Sequence, residues 1–230
     1  MRQRHTLFAL TLLLCLLALP ALTVQAQYLP QKPVATKPVQ IAMLYQKLTR
    51  QRPDFREWIE QSSDYIAADM YDRAEMVKSR LDEMQETYNM LMPNEPIMLE
   101  AQIELTAYSR LKKGFMVPMF TPLTFFNYVY MGENYALVPH KIMQYQWLHM
   151  NETLAAILLK ESDAQHRVKM RLHMKPLTAD RKPVQIGPQT YKPLMADITA
   201  LELWSDDGQR LVWDSRKIDK NDNALLELRR

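Results

Sequence analysis

Two stretches of the chain alternate strictly between apolar and polar side chains, which is the pattern of a half-buried β-strand. In residues 99–107 the apolar positions include Leu99, Ile103 and Leu105. In residues 166–175 the polar positions are all basic or able to become so, and they are Arg167, Lys169, Arg171, His173 and Lys175. The sequence therefore predicts two strands, the second of which carries a basic row on its outer face.

Two further pairs of apolar segments are each separated by a short turn sequence. Residues 125–130 and 135–138 flank a Met-Gly-Glu-Asn turn, and residues 196–204 and 209–213 flank a Ser-Asp-Asp-Gly turn. Such connections between apolar runs are typical of β-hairpins. Proline removes a backbone donor, so residues 118–123 are predicted to be a loop or an edge. The four prolines of residues 176–194 predict a long loop.

Residues 40–92 show a different period, because their apolar side chains recur every three or four residues as on one face of an α-helix. From Met70 to Leu91 the steps alternate between four and three residues, which is close to a heptad repeat. Two interpretations stay open. The segment is either a coiled-coil arm that binds a partner or an amphipathic helix that packs on its own domain. A shorter helix is predicted over residues 152–161, where Asn151 can act as N-cap.

Together these elements predict an α+β fold, with N-terminal amphipathic helices packed on an antiparallel β-sheet or sandwich-like unit that contains a short inserted helix. Residues 141–149 fit either a strand or a helix. The predicted organisation is a signal peptide at 1–26, a proline-rich extended linker at 27–39, a helical segment at 40–92, an antiparallel β-rich domain at 96–215 and a charged tail at 216–230.

The first 26 residues have the layout of a secretory signal peptide, with Arg2 and Arg4 before an apolar run and with Val24 and Ala26 at the −3 and −1 positions of a cleavage site. The apolar run is shorter than the ~20 residues that cross a bilayer as a helix. Cleavage after Ala26 predicts a periplasmic or secreted protein, and an uncleaved anchor is the alternative. The only cysteine, Cys15, lies within the leader. The mature chain therefore has no disulfide, which suits a bacterial periplasm.

Charge gives no support for a nucleic-acid partner. The leader contributes two arginines and no acid, so the rest of the chain carries +1 of the formal +3. A nucleic-acid-binding domain needs a pronounced basic excess. Membrane contact is expected only through the basic row or through an uncleaved signal.

No motif of known catalytic chemistry is present in the sequence. There is no Gly-Lys phosphate loop and no G-x-S-x-G elbow, and the four histidines after residue 26 lack zinc-site spacing. We therefore predict no catalytic residues, no metal and no cofactor. The turn carboxylates Glu133, Asp206 and Asp207 are expected to be solvated turn formers. The many methionines follow the apolar faces and are expected to fill the core.

Two surfaces remain as candidate binding sites. The aromatic stretch at residues 115–139 is expected to be core, but it could instead line a ligand pocket with Phe125, Asn127, Tyr128, Tyr130 and Tyr135. The basic row could bind an anion or a partner. Alternatively, it pairs across strands with acidic residues such as Glu100 and Glu104.

Three functions are compatible with these features. The leading hypothesis is an exported, non-enzymatic binding or accessory protein of the bacterial cell envelope, acting through contacts with a protein partner. The first alternative is a carrier of an apolar ligand or lipid in a pocket lined by residues 115–135. The second alternative is a hydrolase that uses carboxylates. The sequence does not decide whether the protein is an enzyme, although it favours a non-enzymatic role.

Overall fold

The structure is a computed structural model that describes residues 35–217. The predicted signal peptide, most of the predicted linker and nearly all of the predicted tail lie outside the described residues. Within residues 35–217 there are five α-helices: α1 (Pro38–Thr49), α2 (Phe55–Glu60), α3 (Ser63–Ala67), α4 (Met70–Met90) and α5 (Glu152–Lys160). The strands are β1 (Ile97–Glu104), β2 (Gly114–Met116), β3 (Phe126–Tyr130), β4 (Glu133–His140), β5 (Trp147–His149), β6 (Arg167–Ala179), β7 (Val184–Ile186), β8 (Gln189–Trp204) and β9 (Leu211–Asp214).

The main sheet has seven strands in the order β1-β6-β8-β4-β3, and β7 and β9 pair additionally with β8. The α+β class is therefore confirmed. The sheet is mixed rather than purely antiparallel, because β4 and β8 run parallel. A long connection that contains α5 and β6 separates these two strands, and such a crossover is what a parallel pair requires. A separate small sheet pairs β2 with β5.

The strands predicted from alternation and turn signals are confirmed. β1 and β6 pair with each other, and the predicted hairpins are β3–β4 and β8–β9. The short inserted helix is α5, and the side chain of Asn151 accepts a hydrogen bond from the Leu154 N–H at its start. The ambiguous residues 141–149 contain a 3₁₀ turn at Ile142–Tyr145 followed by β5.

The long loop predicted over residues 176–194 is wrong. β6 continues through Pro176 to Ala179, and register shifts on β6 and β8 absorb the irregular backbone there. β7 then forms a tight hairpin with the start of β8 through Gly187, whose φ is +58°. Pro183 and Pro188 flank β7, Pro176 lies beside a register shift and Pro193 lies inside β8, so these prolines interrupt the sheet less than their number indicated.

Helix α1 packs into the core over the main sheet. It begins inside the predicted linker, with Pro38 in its first turn, where proline needs no partner for its missing N–H. Ile41, Leu44 and Tyr45 are almost fully buried. The Tyr45 ring meets the Tyr135 ring of β4 edge-to-face at 5.6 Å. The Tyr45 hydroxyl donates to the carbonyl oxygen of Asp180 at 2.8 Å, so α1 is fixed to the sheet at two points.

The rest of the helical segment is divided by polar N-caps. Asp54, Ser62 and Asp69 each accept a backbone N–H of the following turn, and so open α2, α3 and α4. Side chains of this kind stop one helix and start another because they satisfy otherwise unpaired N–H groups. We call α2, α3 and α4 together the arm. Helix α4 has 21 residues, of which only Val77 is buried. Its Tyr88 ring meets Phe55 of α2 edge-to-face at 5.5 Å, so α4 packs against α2.

Candidate functional site

The aromatic stretch at residues 115–139 is largely core. Phe115 and Phe120 have no exposed surface, and Tyr135 is 2 % exposed. The Phe115 ring packs edge-to-face on Tyr108 at 5.3 Å. Gly114, just before Phe115, lies so close to β5 that a Cβ would sit 2.4 Å from the Leu148 oxygen. The segment is therefore packed tightly against its neighbours.

The five residues predicted to line a ligand pocket do not meet in one cavity. Tyr128 and Tyr135 are directly opposed across the β3–β4 pair, and Tyr130 packs edge-to-face on Trp58 of α2 at 5.1 Å. Phe125 packs instead against Tyr191 at 5.2 Å. Asn127 is exposed. The structure thus brings the three tyrosines together under the helices and leaves the other two residues outside this group.

Burial changes the acidity of these tyrosines. It raises the pKa of Tyr128 to about 12. It also raises the pKa of Tyr135, and the charge of Glu133 adds to that effect. The cause is desolvation, since the phenolate is poorly accommodated away from water. The three hydroxyl-bearing rings are therefore neutral packing elements at physiological pH.

We expect Tyr128 to make the stability of the fold sensitive to high pH. Its folded pKa lies above the value of about 10 in an unfolded chain. Its contribution is therefore complete below pH 10 and is lost as the pH rises through about 12. Between pH 9 and pH 11.5 we expect Tyr128→Phe to lose about 2 kcal/mol less unfolding free energy than the wild type. Denaturant titration at the two pH values measures the difference, with Tyr71→Phe as an exposed control. Equal losses in the wild type and Tyr128→Phe would contradict the assignment.

The centre of the predicted basic row is buried. Arg171 is 3 % exposed, and its Nε donates to Glu100 Oε2 of β1 at 2.8 Å. Its guanidinium carbon lies 4.0 Å from the centre of the Trp204 ring of β8. Lys169 Nζ lies 3.7 Å from the same glutamate. The row thus pairs with Glu100 across the strands, which is one of the two interpretations of the sequence.

Other members of the row also lie beside carboxylates. His173 Nε2 is 3.2 Å from Glu202 Oε1, and Arg167 bonds to Asp163 at 2.7 Å. Glu202 additionally accepts from Trp204 Nε1 at 2.9 Å and pairs with Arg216. Lys175 is exposed. Binding of an external anion stays a prediction, but the geometry favours a charge ladder that spans β1, β6 and β8.

Sequence reasoning missed Glu202 as a partner of the row. Its register position is opposite Arg171 on β8, and it is 6 % exposed. A glutamate inside the apolar run Ala-Leu-Glu-Leu-Trp was the available signal, because a buried carboxylate needs a cation or several donors.

An open apolar surface lies on the arm. Ile66, Met70 and Tyr71 are 64 %, 75 % and 84 % exposed. They adjoin a groove of about 600 Å³ that lies between α2, α3 and α4. The groove is lined by Arg56, Glu60, Tyr65, Met70, Arg73, Ala74, Val77, Lys78 and Leu81. Its apolar lining belongs to the stripe of residues 70–91 that the sequence indicated.

Charges on α4 are sorted by face. Helical spacing places Arg73 and Arg80 on one side of the apolar stripe and Lys78 on the other. Arg80 is paired with Asp64 of α3 at 2.7 Å. The acids occupy the opposite face of the helix, and they are Asp72, Glu75, Asp82, Glu83 and Glu86. The stripe therefore has cationic edges and an acidic back.

A second cleft, of about 580 Å³, adjoins the aromatic stretch but is polar. Lys192 pairs with Glu133 there at 3.3 Å. The other acids in it already have roles: Asp54 caps α2, and Glu57 accepts from Gln61 at 3.0 Å. Its lining offers little apolar surface to a lipid-like ligand, and its carboxylates are engaged in structural contacts.

Residues 35–217 hold neither a bilayer-spanning helix nor a cluster of metal ligands. No helix there is long and apolar enough to cross a bilayer. No group of three or more His, Cys, Asp or Glu side chains in that range is placed to hold a metal ion. Comparisons with protein families, with curated proteins and with solved structures found no match to this chain.

Proposed function

We propose that this chain is an exported, non-enzymatic accessory protein of the bacterial cell envelope and that its arm binds a protein partner. The observation that carries the proposal is how little of α4 is buried. This helix has 21 residues, one of which is buried, and its N-terminal apolar side chains face an open groove. Export is proposed from the layout of residues 1–26.

Energetics favour a partner over a purely structural role for this end of the arm. Most helical stability in proteins comes from packing an apolar face rather than from intrinsic propensity. Each Å² of apolar surface removed from water contributes about 25 cal/mol. Met70 is 75 % exposed, and so it contributes little of this stabilisation in the isolated chain. A partner that covers Met70 and Ile66 would recover that contribution.

The test replaces Met70 and Ala74 together with glutamate. Both side chains line the groove and are exposed, so the fold should persist, whereas two carboxylates in the apolar stripe should weaken partner binding at least tenfold. The chain is first isolated from the envelope fraction of the source cell, and the proteins isolated with it are identified. The N-terminus of the isolated chain is expected to be Gln27. The partner is then purified and titrated by calorimetry against wild type and variant.

A control places one added negative charge on the acidic back of α4, as in Ser79→Glu. This variant should bind like the wild type, since Ser79 lies away from the stripe. Unchanged binding by the Met70→Glu, Ala74→Glu variant would overturn the role of the arm. So would equal loss in both variants, because it would point to a general effect of negative charge.

A further inference from the structure

We propose that the groove of the arm takes an amphipathic helix whose apolar face is bordered by acidic residues. This inference rests on the proposed function and specifies the chemistry of the partner. It follows from the shape of the groove and from the charges around it.

The groove is long enough along α4 for about three turns of a docked helix. Along α4 it extends from Met70 to Leu81, which corresponds to about 16 Å or three helical turns. Its second wall is α2, and α3 closes one end. Two helices that diverge from a shared packing contact leave a trough into which the apolar side chains of a third helix can insert.

Cations exceed carboxylates in the lining of this groove. Its lining has three basic side chains, Arg56, Arg73 and Lys78, against Glu60. Glu60 is paired with Arg56 at 3.4 Å, which leaves two positive charges without a carboxylate in the lining. Complementary charge at an interface raises the association rate and rejects partners of like charge.

Arg73 is held in place by neutral acceptors. Its Nε donates to the carbonyl oxygens of Tyr65 and Ala68, at 3.1 Å and 3.0 Å, and its Nη2 donates to that of Ile66 at 3.0 Å. These bonds cap the C-terminal end of α3 and hold the guanidinium at the groove. Because the acceptors are neutral carbonyl groups, Arg73 keeps its full positive charge. Lys78 is exposed on the other side of the stripe. A docked helix would thus meet a cation along each of its edges.

A lipid surface fits the same charges less well. An interfacial helix presents a convex apolar face to the bilayer, whereas here the apolar side chains line a concave groove. Lipid binding is therefore an outcome to be tested against the peptide partner.

The experiment uses three labelled 16-residue model peptides and the mature chain. The first has a leucine stripe at helical spacing with glutamate on both edges, the second has the same stripe with lysine, and the third has the glutamates without the leucines. Fluorescence anisotropy at 50 mM and 300 mM salt should show at least tenfold tighter binding of the first peptide than of either other. The higher salt concentration should reduce the preference for the first peptide over the second, because that preference depends on charge.

Lys78→Glu is the diagnostic variant. It should lower the affinity for the glutamate-edged peptide at least fivefold and raise the affinity for the lysine-edged one. Lys112→Glu, in an exposed turn of the β unit, should change neither affinity. Vesicles with and without anionic lipid complete the set. Equal affinity for the two edged peptides, failure of both to bind, or tighter binding to anionic vesicles would each overturn the inference.

Failure here is distinguishable from failure of the proposed function. If no peptide shows the preference but the Met70→Glu, Ala74→Glu variant still loses the native partner, the arm binds a partner of another chemistry. If that variant keeps its native partner, the proposed function fails whatever the peptides do.

Discussion

Phe115→Ala is expected to lower the free energy of unfolding by about 3 to 5 kcal/mol. Phe115 has no exposed surface and packs on Tyr108 at 5.3 Å. Removing the ring loses its transfer free energy and leaves a cavity, which the neighbouring strands can only partly close. β2 and β5 approach closely at Gly114, so the backbone there has little room to collapse. Urea titration of wild type and variant measures the change.

The matched control is Phe125→Ala, ten residues further along the same aromatic stretch. Phe125 is half-buried and packs on Tyr191 from one side, so we expect a loss of about 1 to 2 kcal/mol. The comparison separates a core from a ligand pocket. A Phe115→Ala variant of unchanged stability would show that the stretch lines a cavity rather than the core.

Arg171→Ala should cost about 3 kcal/mol. The variant leaves Glu100 without its 2.8 Å hydrogen bond and removes the cation that stacks on Trp204. It also removes the positive charge opposite the nearly buried Glu202. Glu100 is 31 % exposed and can regain water, which keeps the loss near the lower end for buried pairs. Denaturant titration at pH 7 measures it.

Two controls separate charge from packing in this ladder. Arg167→Ala removes a cation whose side chain is 45 % exposed, and it should cost less than about 1 kcal/mol. Arg171→Met together with Glu100→Gln keeps the volume and removes both charges, and it should recover most of the loss. If Arg167→Ala and Arg171→Ala were equally destabilising, the buried position of Arg171 would have no special role.

Local periodicity accounts for what the sequence predicted well. Val168, Met170, Leu172 and Met174 of β6 are fully buried on its core face, so apolar and polar residues alternate along that strand. The β3–β4 hairpin turns at Gly132, whose φ is +71°, and Gly208 in the β8–β9 turn has the same φ. These signals depend on neighbouring residues alone, which is why they can be interpreted without the fold.

What sequence reasoning missed depends on distant partners. The parallel pairing of β4 with β8 joins residues about 57 positions apart, as at His140 and Asp197, and no local pattern encodes it. Glu202 meets Arg171 for the same reason. For the arm, the stripe from Met70 was visible in the sequence. The sequence could not show that α2 covers its later part and leaves Met70 open, because that outcome depends on how the helices cross.

The place of β8 in the chain also determines when the molecule can be completed during synthesis. β8 lies between β6 and β4 and also pairs with β7 and β9, yet it spans only Gln189–Trp204. Until β8 has been synthesised, β1 and β6 have no connection through the sheet to β3 and β4. Chains that depend on such distant contacts fold slowly. The seven-stranded sheet therefore cannot be completed until most of the chain has been synthesised.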